Sequence, residues 1–435
     1  MTDNRVITAP HQLVITRRAW EAALRPLLAQ PGGFAVGRMR WLATEQDRRL
    51  LVEGVELIDR VPSGDRFPPL ADWCVFHVSS AERDIRSARE LLARLRPKAS
   101  QTVAAVVVDP GGNVAQSPNW DGAVYMGEGR VIGIAGLRVV GPGMLRVERE
   151  PVDDLPAAAG SSHDDSAVRY SRLEGAVGMP VVQRLRQAAV TLIGAGRNGS
   201  AIAFQLASLG VRTIRLVDAD TLGPENLDAM PGLAVADLGR PKVTALAERL
   251  LRLRPDLSVS RFDAPLTDGR VAAALRRLPA DLLVTTVDSD TPRLAASLLA
   301  RETLTVHLDV GTSVTRAAPG EMLLAGDVRL LLPGSGCVWC VGGLADREAT
   351  LYELSAPPKT LRRGRPLAWH QERAGSLVSL NAIAVGVAVQ AWLDLLAGRL
   401  RTSCWHRLRW LPGEGIQADS GLVSAGEDCP YCRQI

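Results

Sequence analysis

From residue 168 onward, apolar residues gather in short strand-like runs: "VTLIGAG", "IRLVDAD", "LSVSRFDA", "DLLVTTVD" and "LTVHLDVG". Amphipathic helical patterns separate them. Short apolar runs bounded by turn residues read as strands covered on both faces. Their alternation with helices predicts an α/β fold, a doubly wound and mostly parallel Rossmann-like sheet. Residues 1–150 have a different rhythm. Strand-like runs ("LLVEGVELID", "TVAAVVVDPGG", "RVIGIAGLRVVG") accompany one helical pattern, "SAERDIRSARELLARLRP", which predicts a smaller α/β or α+β domain. Residues 151–166, "PVDDLPAAAGSSHDDS", have little to bury and read as a linker, leaving 167–435 as the sheet domain. No internal repeat is present.

Composition narrows the function classes. Of 435 residues, 46% are hydrophobic and 23% charged, with a formal net charge of +4. Arginines are scattered rather than clustered, which argues against nucleic-acid binding. The start, "MTDNRVITAP", lacks a basic segment followed by an apolar one. The most apolar stretch, residues 377–398, is interrupted by Asn381, Gln390 and Asp394 and reads as a buried helix rather than a membrane span. The expectation is a soluble cytoplasmic protein.

Residues 190–220 carry the first candidate chemistry. Gly194, Gly196 and Gly199 have G-x-G-x-x-G spacing after a strand and at the opening of a helix. Such a loop lets backbone N–H groups approach a nucleotide phosphate. Asp218 lies 19 residues beyond Gly199 (218 − 199), at the end of the next strand, where a carboxylate accepts from a ribose. These features suit NAD and adenine nucleotides alike. Neighbouring polar groups favour a triphosphate: Asn226 in "ENLD" and Lys242 in "GRPKV" serve phosphates, not hydride transfer. Asp288 in "TTVDSDTPR" falls at another strand's carboxyl end, and a carboxylate beside phosphates implies an intervening Mg²⁺. The plainer accounts are a helix N-cap for Asp288 and a solvated side chain for Lys242.

Two C-x-x-C pairs, Cys337/Cys340 and Cys429/Cys432, are separated by 88 residues (429 − 340 − 1). In a reducing compartment they predict a structural Cys₄ zinc site with no open coordination position.

Together these motifs resemble the superfamily of ThiF and MoeB adenylyltransferases and ubiquitin-activating enzymes. The resemblance covers about residues 168–435 and rests on "RYSR", "GAGRNG", "VDAD", "ENLD", "GRPK", "TVDSDTPR" and the paired cysteines. It implies ATP- and Mg²⁺-dependent adenylation of the C-terminal glycine of a ubiquitin-like or sulfur-carrier protein, in a homodimer. A conjugating-enzyme-like acceptor and a bacterial ubiquitin-like conjugation or antiphage pathway belong to the same implication. The ATP set would be the three glycines, Asp218 and Asp220, Asn226, Lys242, Asp288 as the Mg²⁺ ligand, and Arg293. Arg172 would enter the partner subunit's site, making Arg172, Lys242 and Asp288 the catalytic group.

The resemblance fails at two points. The family usually reads "NLNR" where this chain reads "NLDA", so Ala229 replaces an arginine and Asp228 adds an acid. Arg197 and Arg240 are the nearby arginines that would restore the charge. Thioester-forming relatives carry a cysteine between the first cysteine pair and the last long helix, but residues 341–375 have none. Of the remaining cysteines, Cys404 has His406 nearby and is the candidate thioester nucleophile, with a buried structural role as its plainer account. Cys74 is the other.

Residues 30–148 resemble, more faintly, a JAB/MPN metalloprotease domain that has lost its site. Gln30-Pro31 stands where a glutamate precedes the glycine pair. His77 can represent the first ligand, Ser79 occupies the second position, and Asp84 the carboxylate. One histidine and one aspartate do not make a catalytic zinc site. The reading is therefore an adenylating enzyme. A scaffold that binds ATP or the ubiquitin-like protein without turnover is the alternative, and an NAD oxidoreductase is a third reading that leaves the cysteines unexplained.

Overall fold

The computed structural model describes residues 11–29, 34–43, 48–58, 72–79, 85, 87–98, 100–109, 119–126, 130–148, 165–230, 232–318, 321–355, 376–411, 413 and 415–432. The chain divides into two compact units, Met1–Ser162 and His163–Ile435.

The first unit runs β1 (His11–Thr16), α1 (Arg17–Ala29), β2 (Phe34–Ala43), β3 (Arg48–Ile58), β4 (Trp73–Val78), α2 (Ala88–Leu95), β5 (Val103–Asp109), β6 (Asn119–Tyr125), β7 (Val131–Val140) and β8 (Leu145–Glu148). Its eight strands lie in the order β1-β3-β2-β4-β5-β6-β7-β8, and β1 also pairs in parallel with β7. That last ladder closes the sheet into a barrel, which is at odds with the expectation of a smaller α/β domain of JAB/MPN type. The one expected helical pattern contains α2, whereas α1 was not foreseen, and closure depends on β1 reaching β7 across more than 110 residues of sequence.

Strand alternation gives this unit two cores. On one face Cys74, Phe76 and Val78 of β4 join Ala19, Trp20, Ala23, Leu24 and Leu27 of α1, with Trp20 edge-on to Phe76 at 6.5 Å between ring centroids. Val75 faces the other way, into the cluster of α2 residues Ala88, Leu91, Leu92 and Leu95. Ser87 caps α2 by accepting from the Glu90 N–H.

The second unit begins with α3 (Asp165–Val177), so Asp165 and Ser166 of the expected linker are helical, while 151–164 lie outside the described residues. Then come α4 (Met179–Gln187), β9 (Ala189–Ile193), α5 (Arg197–Ser208), β10 (Thr213–Val217), α6 (Lys242–Leu253), β11 (Ser258–Phe262), α7 (Gly269–Arg277), β12 (Leu282–Thr285), α8 (Asp290–Glu302), β13 (Val306–Ala318), β14 (Glu321–Leu331), α9 (Arg347–Ser355), α10 (Val378–Leu396), β15 (Cys404–Leu411) and β16 (Gly415–Leu422). The sheet order is β11-β10-β9-β12-β13-β14-β15-β16.

Five strands, β11 to β13 in that order, are parallel, as the apolar runs predict. The antiparallel extension β14–β15–β16 was not foreseen beyond a strand-like run after Cys404. Chain order reverses between β9 and β12. Helices diverge at such a point, leaving a crevice at the strands' carboxyl ends. Helix α10 is long and apolar enough to cross a membrane by length and composition, and 56% of its most apolar window is buried. It packs on β13, β14 and α5. Leu380, Ala384, Val385, Ala388 and Trp392 face inward, whereas Val378 and Ile383 are exposed, so the helix is one-sided rather than wholly buried.

Candidate nucleotide site and cysteine cluster

The turn from β9 to α5 is shaped by contacts that only glycine permits. Gly194 adopts φ +95°, and its carbonyl accepts from the Thr286 hydroxyl at 2.7 Å. A Cβ at Gly199 would lie 1.9 Å from the Gly194 carbonyl oxygen, so α5 can sit against the loop only without a side chain there. Gly196 is different: a Cβ built on it meets nothing within 4 Å. Among the described residues nothing fills that position at the start of α5, where a helix N-terminus favours an anion.

Asp218 is tied into this loop. Its Oδ2 accepts from the Ala195 N–H at 2.6 Å and its Oδ1 from the Asp220 N–H at 2.8 Å. Burial pushes its pKa up, partly offset by Lys242. Besides any ribose contact, Asp218 therefore holds the glycine loop to the end of β10. Lys242 opens α6 and is not a solvated lysine: its side chain is 11% exposed, and Nζ donates to Asp220 Oδ2 at 2.8 Å. Asn226 uses its Oδ1 to accept from the Gly223 N–H at 3.0 Å, closing a tight turn. Residues 221–241 are pinned at their base by Leu222 N–H donating to the Arg240 carbonyl at 2.9 Å.

Asp288 is exposed, three residues beyond β12. It is not the N-cap of α8; Ser289 occupies that position. Asp290, which sequence reasoning passed over, accepts from the Ala345 and Asp346 N–H groups at 2.6 and 3.0 Å and fastens the segment after the first cysteine pair to α8.

Arg293, expected among the ATP contacts, is engaged within the protein. Its Nη2 donates to the Val287 carbonyl at 2.7 Å and its Nε lies 3.2 Å from Asp309 Oδ1. Arg329 Nη1 meets the other oxygen of Asp309 at 2.7 Å. Burial alone would raise Asp309, but Arg293 and Arg329 outweigh it and hold the carboxyl below its usual range. Beside it, His307 shares a hydrogen bond with the Thr285 hydroxyl, and burial lowers its pKa to about 4. This buried charged layer supports the end of β12 from beneath. Its signal in the sequence is "HLD", which places two titratable residues inside an otherwise apolar run.

Arg172 is exposed on α3, where Tyr170 anchors the helix by receiving a hydrogen bond from Arg254 and packing beside Gly210. Of the two arginines near "NLDA", Arg240 is engaged by Asp237 at 3.0 Å and by Glu248. Arg197, at the first position of α5, donates to the Glu225 carbonyl and pairs with Asp228 at 3.0 Å.

The four cysteines converge. Sγ–Sγ separations are 3.7 Å for Cys337–Cys340, 3.6 Å for Cys337–Cys429 and 3.7 Å for Cys340–Cys432. A tetrahedron with Zn–S bonds of ~2.3 Å has edges of ~3.8 Å, whereas a disulfide needs ~2.05 Å. The donor set therefore fits a closed tetrahedral zinc site. Arg301 Nη1 donates to Cys432 Sγ at 2.7 Å and the Gly426 N–H to Cys340 Sγ at 3.2 Å, contacts that orient these two sulfurs. Among the described residues, these four cysteines are the group able to hold a metal.

Cys404 begins β15, 4% exposed, with Sγ 3.6 Å from His406 Nε2. Burial raises its pKa and lowers that of His406, which works against a reactive thiolate. Cys74 is fully buried in β4 and its pKa is raised well above the ordinary thiol range by burial. His77 is also fully buried, stacked on Phe34 at 4.9 Å between centroids. Ser79 follows β4, and its N–H donates to the Val108 carbonyl at 3.0 Å. Gln30, Pro31 and Asp84 lie outside the described residues.

The ThiF family model matches residues 170–409. The sulfur carrier protein ThiS adenylyltransferase of Escherichia coli is 29% identical over 276 residues, which cover 62% of this chain and 96% of that protein. Ubiquitin-like modifier-activating enzyme 5 of Drosophila mojavensis is 26% identical over 265 residues, 58% of this chain and 60% of that one. The molybdopterin-synthase adenylyltransferase of E. coli is 32% identical over 93 residues, 21% of this chain and 37% of the relative. The match thus spans less than two thirds of two of these relatives. Among solved structures, E. coli MccB bound to succinimide aligns with a TM-score of 0.47 and 18% identity, covering 63% of this chain and 76% of MccB. The family match starts at residue 170 and so lies wholly within the second unit.

Proposed function

The chain belongs to the ThiF family, and on that premise we propose that it adenylates the C-terminal glycine of a ubiquitin-like or sulfur-carrier protein with ATP and Mg²⁺. The observation that carries the reading is the combined geometry of the β9–α5 turn: an open space at Gly196, a loop braced by Asp218, and a nearly buried Lys242 beside it. The reading of a dinucleotide oxidoreductase leaves the cysteine cluster and the "RYSR" segment unexplained.

In this reading the glycine loop and α5 N–H groups take the phosphates, and Asp218 accepts from the ribose. Lys242 and Asn226 flank the triphosphate. The attacking carboxylate and the phosphate oxygens that surround the electrophilic α-phosphorus are both negatively charged, so alignment and cationic neutralisation matter more than proton transfer. Asp288 would hold Mg²⁺, which supplies further neutralisation when bound. Arg293 acts through Asp309, keeping the end of β12 in place. Pyrophosphate leaves as the acyl–phosphate bond forms.

Arg172, exposed on its own subunit, would reach the site of a second copy in a homodimer. A zinc ion on Cys337, Cys340, Cys429 and Cys432 would tie the chain after β16 to the segment following β14. Transfer to a thioester on Cys404 forms no part of the proposal, given its burial.

The decisive experiment is ATP–pyrophosphate exchange with small ubiquitin-fold proteins encoded beside the gene. Exchange that requires the carrier's terminal glycine is the expected result. Nucleotide binding with no exchange for any carrier would favour the non-catalytic scaffold, which the uncharged Ala229 motivates.

A further inference from the structure

Three sets of basic and acidic side chains meet at the carboxyl end of the second sheet, and they differ in which partner water reaches. Asp309 is fully buried between Arg293 and Arg329. Its carboxylate has no solvent to return to, so neither arginine can be released from it without leaving an unpaired buried charge. The other two sets are reversed. Arg197 is 15% exposed, while its partner Asp228 is 62% exposed. Lys242 is 11% exposed, and its partner Asp220 is 70% exposed. In both, the cation is held in place and the anion is already mostly hydrated.

That asymmetry makes the carboxylates exchangeable. A nearly buried cation must be neutralised while no ligand is bound, and a carboxylate at the rim does so at little cost. When a phosphate arrives, the carboxylate moves back into water that it already touches. The cation keeps a counter-ion throughout. Arg197 is well placed for such an exchange. It is the first residue of α5, its guanidinium is steadied by the Glu225 carbonyl, and it adjoins the open space at Gly196.

We propose that Arg197 binds the phosphates of the nucleotide and that Asp228 is its resident counter-ion, displaced when the nucleotide enters. This inference rests on the nucleotide reading given above. Lys242 and Asp220 work the same way on the other flank. Asp228 is thus an internal competitor: it keeps Arg197 in position in the free protein and reduces the affinity for phosphate.

The test measures affinities for Mg·ATP, AMP and adenosine by calorimetry, using the full chain and the variants Arg197→Gln, Arg197→Lys, Asp228→Asn and the double Arg197→Gln/Asp228→Asn. Adenosine binding serves as a check that each variant is folded. Arg197→Gln should weaken ATP by ~10–100-fold and adenosine by less than ~3-fold, with Arg197→Lys intermediate. Asp228→Asn should tighten ATP by ~3–10-fold while leaving adenosine unchanged. The double variant should bind ATP better than Arg197→Gln does, because a bare carboxylate no longer faces the phosphates. A merely structural ion pair predicts the opposite for Asp228→Asn, namely weaker ATP binding. That result, or an ATP-to-adenosine ratio unaltered in Arg197→Gln, overturns the proposal while leaving the nucleotide reading intact. A wild-type chain that binds neither ATP nor adenosine overturns both.

Discussion

The two sheets of this protein place their polar groups differently. In the closed sheet of the first unit, His77, Arg49 and Arg138 lie within strands β4, β3 and β7 and are 5% exposed or less. The open sheet also buries Arg215, His307, Asp309 and Arg329 within its strands, but it carries a second set of polar groups at strand ends: Asp218 past β10, Thr286 and the exposed Asp288 past β12, and Lys242 at the start of α6. Closure is the reason. A closed sheet pairs its strands all round and diverts no helices apart, so its interior is packing space. An open sheet whose chain order reverses must part its helices at the reversal, and the strand ends there face a crevice. Chemistry is expected only in the second.

The sharpest way to break this comparison is to remove Asp288, the proposed Mg²⁺ ligand at the crevice. Asp288→Ala should lower exchange by ~10³-fold or more with the fold retained, because the phosphate charge loses its neutralising ion. Mixed dimers of Asp288→Ala and Arg172→Ala should recover one working site. Failure to complement would remove Arg172 from the partner's site, and a wild-type rate for Asp288→Ala would remove the metal from Asp288.

Next in size is the cysteine cluster. Cys429→Ser should release bound zinc and lower the melting temperature of the second unit by ~10 °C, corresponding to several kcal/mol of metal-linked folding energy. Elemental analysis reads the zinc and calorimetry the melting. An unchanged zinc content would show that the four thiols are not its site.

The buried layer beneath β12 predicts a pH dependence. His307 has a folded pKa of about 4 against an ordinary value of 6.5. A lowered histidine pKa means that the unfolded chain binds more protons across that window. Stability should therefore be present above about pH 6.5 and fall by up to about 3 kcal/mol as pH drops to 4. Asp309, held low by its arginines, adds its own loss as pH falls further. Chemical denaturation at several pH values should show the slope, and His307→Gln should flatten it. A slope that persists in His307→Gln would assign it to other groups.

The smallest effect concerns the first unit. His77→Ala should cost that unit ~2–4 kcal/mol through the cavity it leaves beside Phe34, yet change exchange by less than ~2-fold. A large loss of exchange in a still-folded His77→Ala protein would mean that the first unit takes part in the reaction, and the contrast between the sheets would fail.

Much of the second unit was legible because its signals are local. Gly194, Gly196 and Gly199 mark the turn by spacing alone, and each C-x-x-C pair presents two thiols from one short loop. The parallel strands announce themselves as apolar runs. Pairings over long separations were not legible. Nothing near His11 indicates that its strand meets both β3 and β7, and nothing near Cys404 indicates that its strand extends a parallel sheet with antiparallel neighbours. Arg293 stands in a motif that reads as ligand contact, yet Asp309 draws it inward.

The sequence by itself determined the elements, the glycine turn and the thiols, because backbone sterics and hydrophobic periodicity act over a few residues. Only the tertiary structure decided which charges are locked and which are exchangeable. Asp309, Asp220 and Asp228 are the same residue type, each paired with a basic side chain, and what separates them is access to water. Burial makes one a permanent strut, and exposure leaves the other two able to yield their places to a ligand, a distinction set by packing among segments far apart in the chain.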